Sequence, residues 1–269
     1  MGKSQGFSIE CASGLAEKKS AMKERVSAVI CAHNEQEYIE TCLESIIAQT
    51  LKPSQVTVIL DRCTDDTPQI VSKYSFQVIE KPSKNWENSY AEALEIGRQN
   101  SYGDYYAIVD ADVELDRDYF EKTVSRFDEK TVGVSGRMVT ASPGFLAKLI
   151  RLWERTYYYS PFKTSLPAGC GLLIKKRFLD EIGGFKDLPS PDTYVHQRAL
   201  EQGLRFAIVK ETTVRHNRKL SLRRVVDTQI EYGRRRRKLG IPFWKTFLHA
   251  ALRVRPFVLY GWFKDGTSK

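Results

Sequence analysis

The run Tyr-Tyr-Ala-Ile-Val-Asp-Ala-Asp-Val, residues 105 to 113, ends in two carboxylates, Asp110 and Asp112, with one alanine between them. Side chains alternate along an extended backbone, so both can face one way and share a divalent cation. An isolated Asp-x-Asp is more often an acidic turn closing a strand. Other groups with chemical capacity recur along the chain: His33-Asn34-Glu35, Asp61 with Asp65 and Asp66, then Asp192 and His216. Asp192 precedes a helical run and reads either as a helix cap or as a carboxylate able to take a proton from a hydroxyl. His216 by itself is more often structural than ligating, although a neutral imidazole suits a divalent shell and its place in this ordered series raises the ligand reading to even odds.

Hydrophobic periodicity supplies the elements that must carry these groups. Val26 to Cys31 reads as a buried strand that breaks at Ala32-His33-Asn34-Glu35 into a helix with Ile39, Leu43, Ile46 and Ile47 on one face. A second strand, Val56 to Leu60, leads through a capping turn at 61–68 to a helix over 70–74, and short strand 76–79 precedes a helix over 87–100. The strand ending at Asp110 is the fourth. Strands alternating with helices predict an α/β fold with a mostly parallel central sheet flanked by helices, and ligands of such sheets bind beyond the carboxyl ends of the strands. The polar loops after Ile30, Leu60 and Val109 should therefore converge. No Gly-x-Gly-x-x-Gly or Gly-Lys-Ser/Thr loop is present, which argues against a Rossmann dehydrogenase or a P-loop enzyme.

Downstream, the pattern predicts a helix over 118–127, a strand over 132–139 and an amphipathic helix over 145–159. The aromatic end of that last helix, Tyr157 to Tyr159, reads as core or as a wall for an acceptor. A glycine-containing turn at 169–171 feeds a strand to Ile174, and helices follow at 178–185 and 190–200. Short strands at 206–209 and 213–216 and a helix over 222–239 complete the pattern.

Several of these segments resemble, in order, the inverting glycosyltransferases of family 2, which have the nucleotide-sugar-binding GT-A fold. Val-Ile-Cys-Ala-His-Asn-Glu at 29–35 resembles the family's strand-then-Asn-Glu opening, with Cys31 and His33 where Pro and Tyr are commoner. Val-Ile-Leu-Asp-Arg-Cys-Thr-Asp-Asp-Thr is similar to its Asp-Asp-Gly-Ser-Thr-Asp turn, with Leu60 at the first Asp and Asp61 at the position that faces the base of the nucleotide. Asp110-Ala111-Asp112 resembles the metal-binding Asp-x-Asp, Ala168 to Gly171 the loop beneath the sugar, and Ser190-Pro191-Asp192 the segment with the catalytic acid pair, Pro191 replacing its Glu.

The resemblance implies metal-dependent, inverting transfer of a sugar from a UDP- or GDP-linked donor to an acceptor hydroxyl. Asp192 would be the general base, and Asp110, Asp112 and His216 would hold Mg²⁺ or Mn²⁺. Ala32, His33, Asn34, Glu35, Asp61, Asp110, Gly169, Cys170 and Gly171 would bind the donor, and Arg215 or Arg218 would assist its diphosphate. Transfer to a polyprenyl phosphate is the alternative within this class. A nucleotidyltransferase should carry a glycine- and lysine-rich loop that Ala32 to Glu35 lacks, and a catalytically silent membrane- or nucleic-acid-binding protein is the remaining rival. The implied organisation is a polar leader at 1–24, a GT-A domain at 25–220 with a nucleotide-binding half (25–113) and an acceptor half (114–220), and a basic helical segment at 221–269.

Charge distinguishes that last segment. The net charge is +9, yet Val214 to Lys269 holds 15 of the 42 Lys and Arg and 3 of the 33 acids, a local net of +12. Residues 221–263 mix these cations with Phe, Trp and Leu, a composition suited to an anionic membrane surface or to packing on the catalytic domain. The stretch is too charged and too interrupted to cross a bilayer. No nucleic-acid-binding motif is visible, so no nucleic-acid partner is expected. Five cysteines without metal-type spacing and no apolar leader point to thiols in a cytoplasmic protein, peripheral at most on a membrane.

Overall fold

The computed structural model describes residues 24–145, 147–152, 169–219, 221–252 and 255–264. Eight strands form one sheet in the order β3-β2-β1-β4-β7-β6-β8-β5. They are β1 (Val26–Ala32), β2 (Gln55–Asp61), β3 (Gln77–Lys81), β4 (Tyr105–Asp110), β5 (Val113–Leu115), β6 (Thr131–Thr140), β7 (Leu172–Lys175) and β8 (Arg205–His216). The four amino-terminal strands pair in parallel, so β1, β2 and β4 all end on one edge. Beyond β4 the sheet is mixed: β7 runs antiparallel to both β4 and β6, while β6 and β8 are parallel.

This reversal serves the site. Because β7 is antiparallel to β4, with Ile108 opposite Leu172, the Gly169–Gly171 turn entering β7 lies beside the exit of β4. Similarly, β5 begins one residue after Asp112 and pairs Val113 with His216, which brings the end of β8 to the Asp-x-Asp. Neither β5 nor a continuous β8 is expected from the periodicity. The predicted strands at 206–209 and 213–216 are one strand, carried through the polar Lys210-Glu211 by a register shift against β6.

Helices cover both faces. Val26, Ala28 and Ile30 of β1 point to a core shared with Ile39, Leu43 and Ile46 of α1 (Ile39–Ile47), Val71 of α2 (Thr67–Val71) and Tyr119, Phe120 and Val124 of α4 (Tyr119–Val124). Val29 points the other way, to Leu94 of α3 (Ser89–Gln99), Leu179 of α5 (Lys176–Glu181) and Val195 of α6 (Pro191–Glu201). The strand period of two thus divides one apolar segment between two cores. Ile47, expected inside, is exposed: it is the last residue of α1 and has turned off the buried face.

Three helices follow: α7 (Leu222–Lys238), α8 (Phe243–Leu252) and α9 (Pro256–Lys264). In α7 and α9, Gly233 and Gly261 allow backbone contact. A Cβ on Gly233 would stand 2.1 Å from the Val258 carbonyl oxygen, and one on Gly261 would stand 1.9 Å from that of Ile230. Residues 1–23 of the predicted leader, Tyr157–Tyr159 and Ala168 lie outside the described residues. The described cysteines, Cys31, Cys42, Cys63 and Cys170, are free thiols.

Candidate active site

The exits of β1, β2 and β4 open on a cleft of about 580 Å³ that is closed on its other side by the Gly169 turn, the start of α6, His216, Arg218 and Arg235. The first two loops are joined by side chains that satisfy each other's backbone. Asn34 Oδ1 accepts from Thr64 N at 2.7 Å, Thr67 Oγ1 accepts from Glu35 N at 2.8 Å, and His33 Nδ1 meets the Asp61 carbonyl oxygen at 2.6 Å. Asn34 holds a left-handed φ of 56°, which asparagine tolerates better than most residues.

Asp61 is buried at the end of β2 and surrounded by donors: Lys81 Nζ at 3.0 Å, Arg62 Nε at 2.8 Å and Ser89 Oγ at 2.6 Å. Burial alone would raise its pKa, but hydrogen bonds from Arg62, Ser89 and Lys81 outweigh it and bring the pKa to about 2. Lys81, also buried, reaches Glu92 at 3.0 Å, so the two acids offset its desolvation. Ser89 and Tyr90 arrive on the first turn of α3, whose start is fixed by Asn88 Oδ1 accepting from Tyr90 N at 3.1 Å and Ala91 N at 3.3 Å.

Asp110 and Asp112 both line the cleft, as alternation requires, and differ in surroundings. Tyr90 donates its hydroxyl to Asp110 Oδ1 at 2.7 Å. Burial, with the neighbouring Asp112 charge adding to it, holds the Asp110 pKa above the usual carboxylate range despite that bond. Asp112 Oδ2 accepts from Arg218 Nε and lies 3.4 Å from His216 Nε2. The other arm of Arg218 pairs with Glu35 Oε1, while Glu35 Oε2 is buried without a hydrogen-bond partner.

Asp192 occupies the first turn of α6 and faces the same cleft. The cap position of α6 is Ser190, whose side chain makes no capping bond, and Asp192 stands inside the first turn. Burial raises its pKa, opposed by local backbone N–H groups and by the charges of Arg235 and His196. A Cβ on Gly169 would meet Asp192 Oδ2 at 3.0 Å, so the glycine leaves room for the carboxylate. Gly171, at φ +69°, has its carbonyl fixed by the Tyr119 hydroxyl at 2.6 Å.

All the sequence-predicted residues except Asn34 and Gly171 line the cleft itself, and these two brace its loops. Of the two arginines considered, Arg218 enters the site, whereas Arg215 turns away to Glu114 and Asp116. Arg62, Ser89, Tyr90 and Arg235 join the cleft, and Lys81 supports it, without having been expected. Arg62 lies in a predicted turn, whereas Ser89, Tyr90 and Arg235 lie in predicted helices, and topology brings them together.

The sequence profile described as glycosyl transferase family 2 matches residues 27–183, more than half the chain. The chain belongs to that family. It shares the GT-A architecture of solved structures. A mannosyltransferase from Pyrobaculum calidifontis, solved with GDP-Man and Mn²⁺, superposes with a TM-score of 0.64 at 19% identity, covering 90% of this chain and 73% of that one. S. aureus TarS with UDP-GlcNAc gives 0.55 at 17% identity, covering 78% and 64%. At these identities the likeness is one of fold. An uncharacterised glycosyltransferase of Haemophilus influenzae is 32% identical over 108 residues, 39% of this chain and 33% of that protein. The chain spans between 15% and 38% of the length of the curated relatives it matches.

Proposed function

We propose that the chain moves a sugar, with inversion, from a nucleoside diphosphate sugar to an acceptor hydroxyl. The observation that carries this reading is the opening of the Asp192 carboxylate on the same cleft as Asp110 and Asp112. In inversion, the acceptor oxygen bonds to the anomeric carbon as the bond to the diphosphate breaks on the opposite face. The hydroxyl proton passes to a carboxylate oxygen of Asp192, whose raised pKa makes it a better base than a surface aspartate. Asp61 and the 32–35 loop border the nucleoside, and Gly169 to Gly171 border the sugar.

Asp110, Asp112 and His216 line one cleft and are the side chains that would hold a hard divalent cation. A buried carboxylate oxygen of Glu35 without a partner stands at the same ion-pair cluster, where positive charge would be stabilised. Among the described residues, no three His, Cys, Asp or Glu groups enclose a cation alone. Mg²⁺ or Mn²⁺ held there would take further ligands from the donor diphosphate, where it would neutralise charge on the leaving group. The solved relatives with GDP-Man and Mn²⁺ or with UDP-GlcNAc support a donor of this class.

A phosphate acceptor is ionised near neutral pH and needs no base. The discriminating variant is therefore Asp192→Asn. With a hydroxyl acceptor, kcat should fall about 100-fold or more while donor KM is held. Full activity would remove Asp192 from the role of base and favour a phosphate acceptor.

A further inference from the structure

We propose that Arg62 reads the nucleobase of the donor, and that Asp61 acts as its holder. The proposal rests on the sugar-nucleotide reading above. An ionised carboxylate offers about four lone-pair sites. In Asp61 all are taken: Oδ1 accepts from Arg62 Nε at 2.8 Å and Lys81 Nζ at 3.0 Å, and Oδ2 from Ser89 Oγ at 2.6 Å and Arg62 Nη2 at 3.3 Å. A nucleobase N–H could bond to Asp61 only by displacing one of these. Lys81 is equally committed, since it also donates to Ser83 O, Ser89 Oγ and Glu92.

Arg62 is differently placed. Its side chain is 37% exposed and lines the cleft. With Nε and Nη2 directed at Asp61 and Ser89, the Nη1 donors meet no acceptor among the described residues. The backbone is left-handed here, with φ 51°, a conformation that non-glycine residues seldom hold and that the Asp61 fork helps fix. The guanidinium is thus pinned on one edge and free on another. A planar fork held in this way loses little entropy when it binds.

The free edge consists only of donors, so its partner must present acceptors. Guanine offers O6 beside N7, and uracil offers its carbonyl oxygens. Adenine places an amino group where guanine has O6, setting donor against donor. Arg62 therefore favours a carbonyl-bearing base and disfavours adenine.

The test is calorimetric titration of the full chain with UDP, GDP and ADP in Mn²⁺, for the native protein, Arg62→Gly and Arg62→Lys. Glycine accepts the left-handed backbone, and thermal unfolding of each variant checks that the fold is kept. The native protein should bind UDP or GDP about tenfold or more tighter than ADP, and Arg62→Gly should lose about tenfold for that nucleotide while ADP changes by less than about threefold. Arg62→Lys, which keeps the charge without the fork, should recover only part. An unchanged preference in Arg62→Gly would overturn the proposal, as would equal losses for all three nucleotides, which would make Arg62 a phosphate contact. If the native protein binds none of the three, the donor-site reading fails and the role of Arg62 fails with it.

Discussion

Asp192 and Asp61 are moved in opposite directions by their surroundings, and the two shifts have separate consequences. As the proposed base, Asp192 must be ionised to accept a proton, and burial raises its pKa, so that competence would be lost as pH falls through a value above the ordinary 3.9 or so. The acid limb of kcat/KM should lie above that of a solvated aspartate and disappear from the residual activity of Asp192→Asn. A limb unchanged in that variant would assign it to another group. Asp61 has its pKa lowered to about 2, so its contribution to stability is complete above the unfolded value and is lost as pH falls through the folded one. Its hydrogen-bonded charge should add on the order of 2 kcal/mol at neutral pH, seen as a drop in unfolding free energy between about pH 4 and 2 that is flatter in Asp61→Asn. The acidic members of the site were legible because each stands at the end of an apolar strand or the start of a helix. Arg218, Tyr90 and Lys81 were harder to place, since Arg218 meets Asp112 from 106 residues away and Tyr90 meets Asp110 from 20.

At the scale of elements, α7 and α9 can be separated with one methyl group. The Gly233 Cβ position is 2.1 Å from a carbonyl oxygen and 2.7 Å from the Trp262 nitrogen, both backbone, so no side chain can turn aside to make room. Gly233→Ala should lower stability by about 1–3 kcal/mol, measured by denaturant unfolding, and expose the carboxyl-terminal helices to protease. Unchanged unfolding would mean that the crossing is not made in solution. The strands around β1, β2 and β4 were legible because their apolar runs are bounded by turn residues. β5 has three residues, too few for a period, and β8 passes through Lys210-Glu211, so its continuity depends on pairing with β6 rather than on its own pattern. The cap at Asn88 had a local signal, and Asn88→Ala should cost about 1 kcal/mol while loosening the turn that carries Ser89 and Tyr90.

At the scale of the molecule, the basic carboxyl-terminal part presents apolar side chains beside its charge. Trp244, Phe247 and Phe263 are 62%, 54% and 55% exposed, and among the described residues no helix is long and apolar enough to cross a membrane. Docking on an anionic lipid surface would set the aromatics at the headgroups and the cations on phosphates, and it is open to direct test. Flotation with anionic vesicles should fall sharply in Trp244→Ala/Phe247→Ala and in raised salt; equal flotation would refute this surface. The account as a whole depends on a donor held by the Asp-x-Asp. Its most direct test is the release of nucleoside diphosphate from a panel of UDP- and GDP-sugars, with Mn²⁺, Mg²⁺ or chelator, for the native chain and Asp112→Ala. The account predicts metal-dependent release from at least one sugar nucleotide and its loss in folded Asp112→Ala. Release from none of the panel, or equal release by the variant, would contradict it.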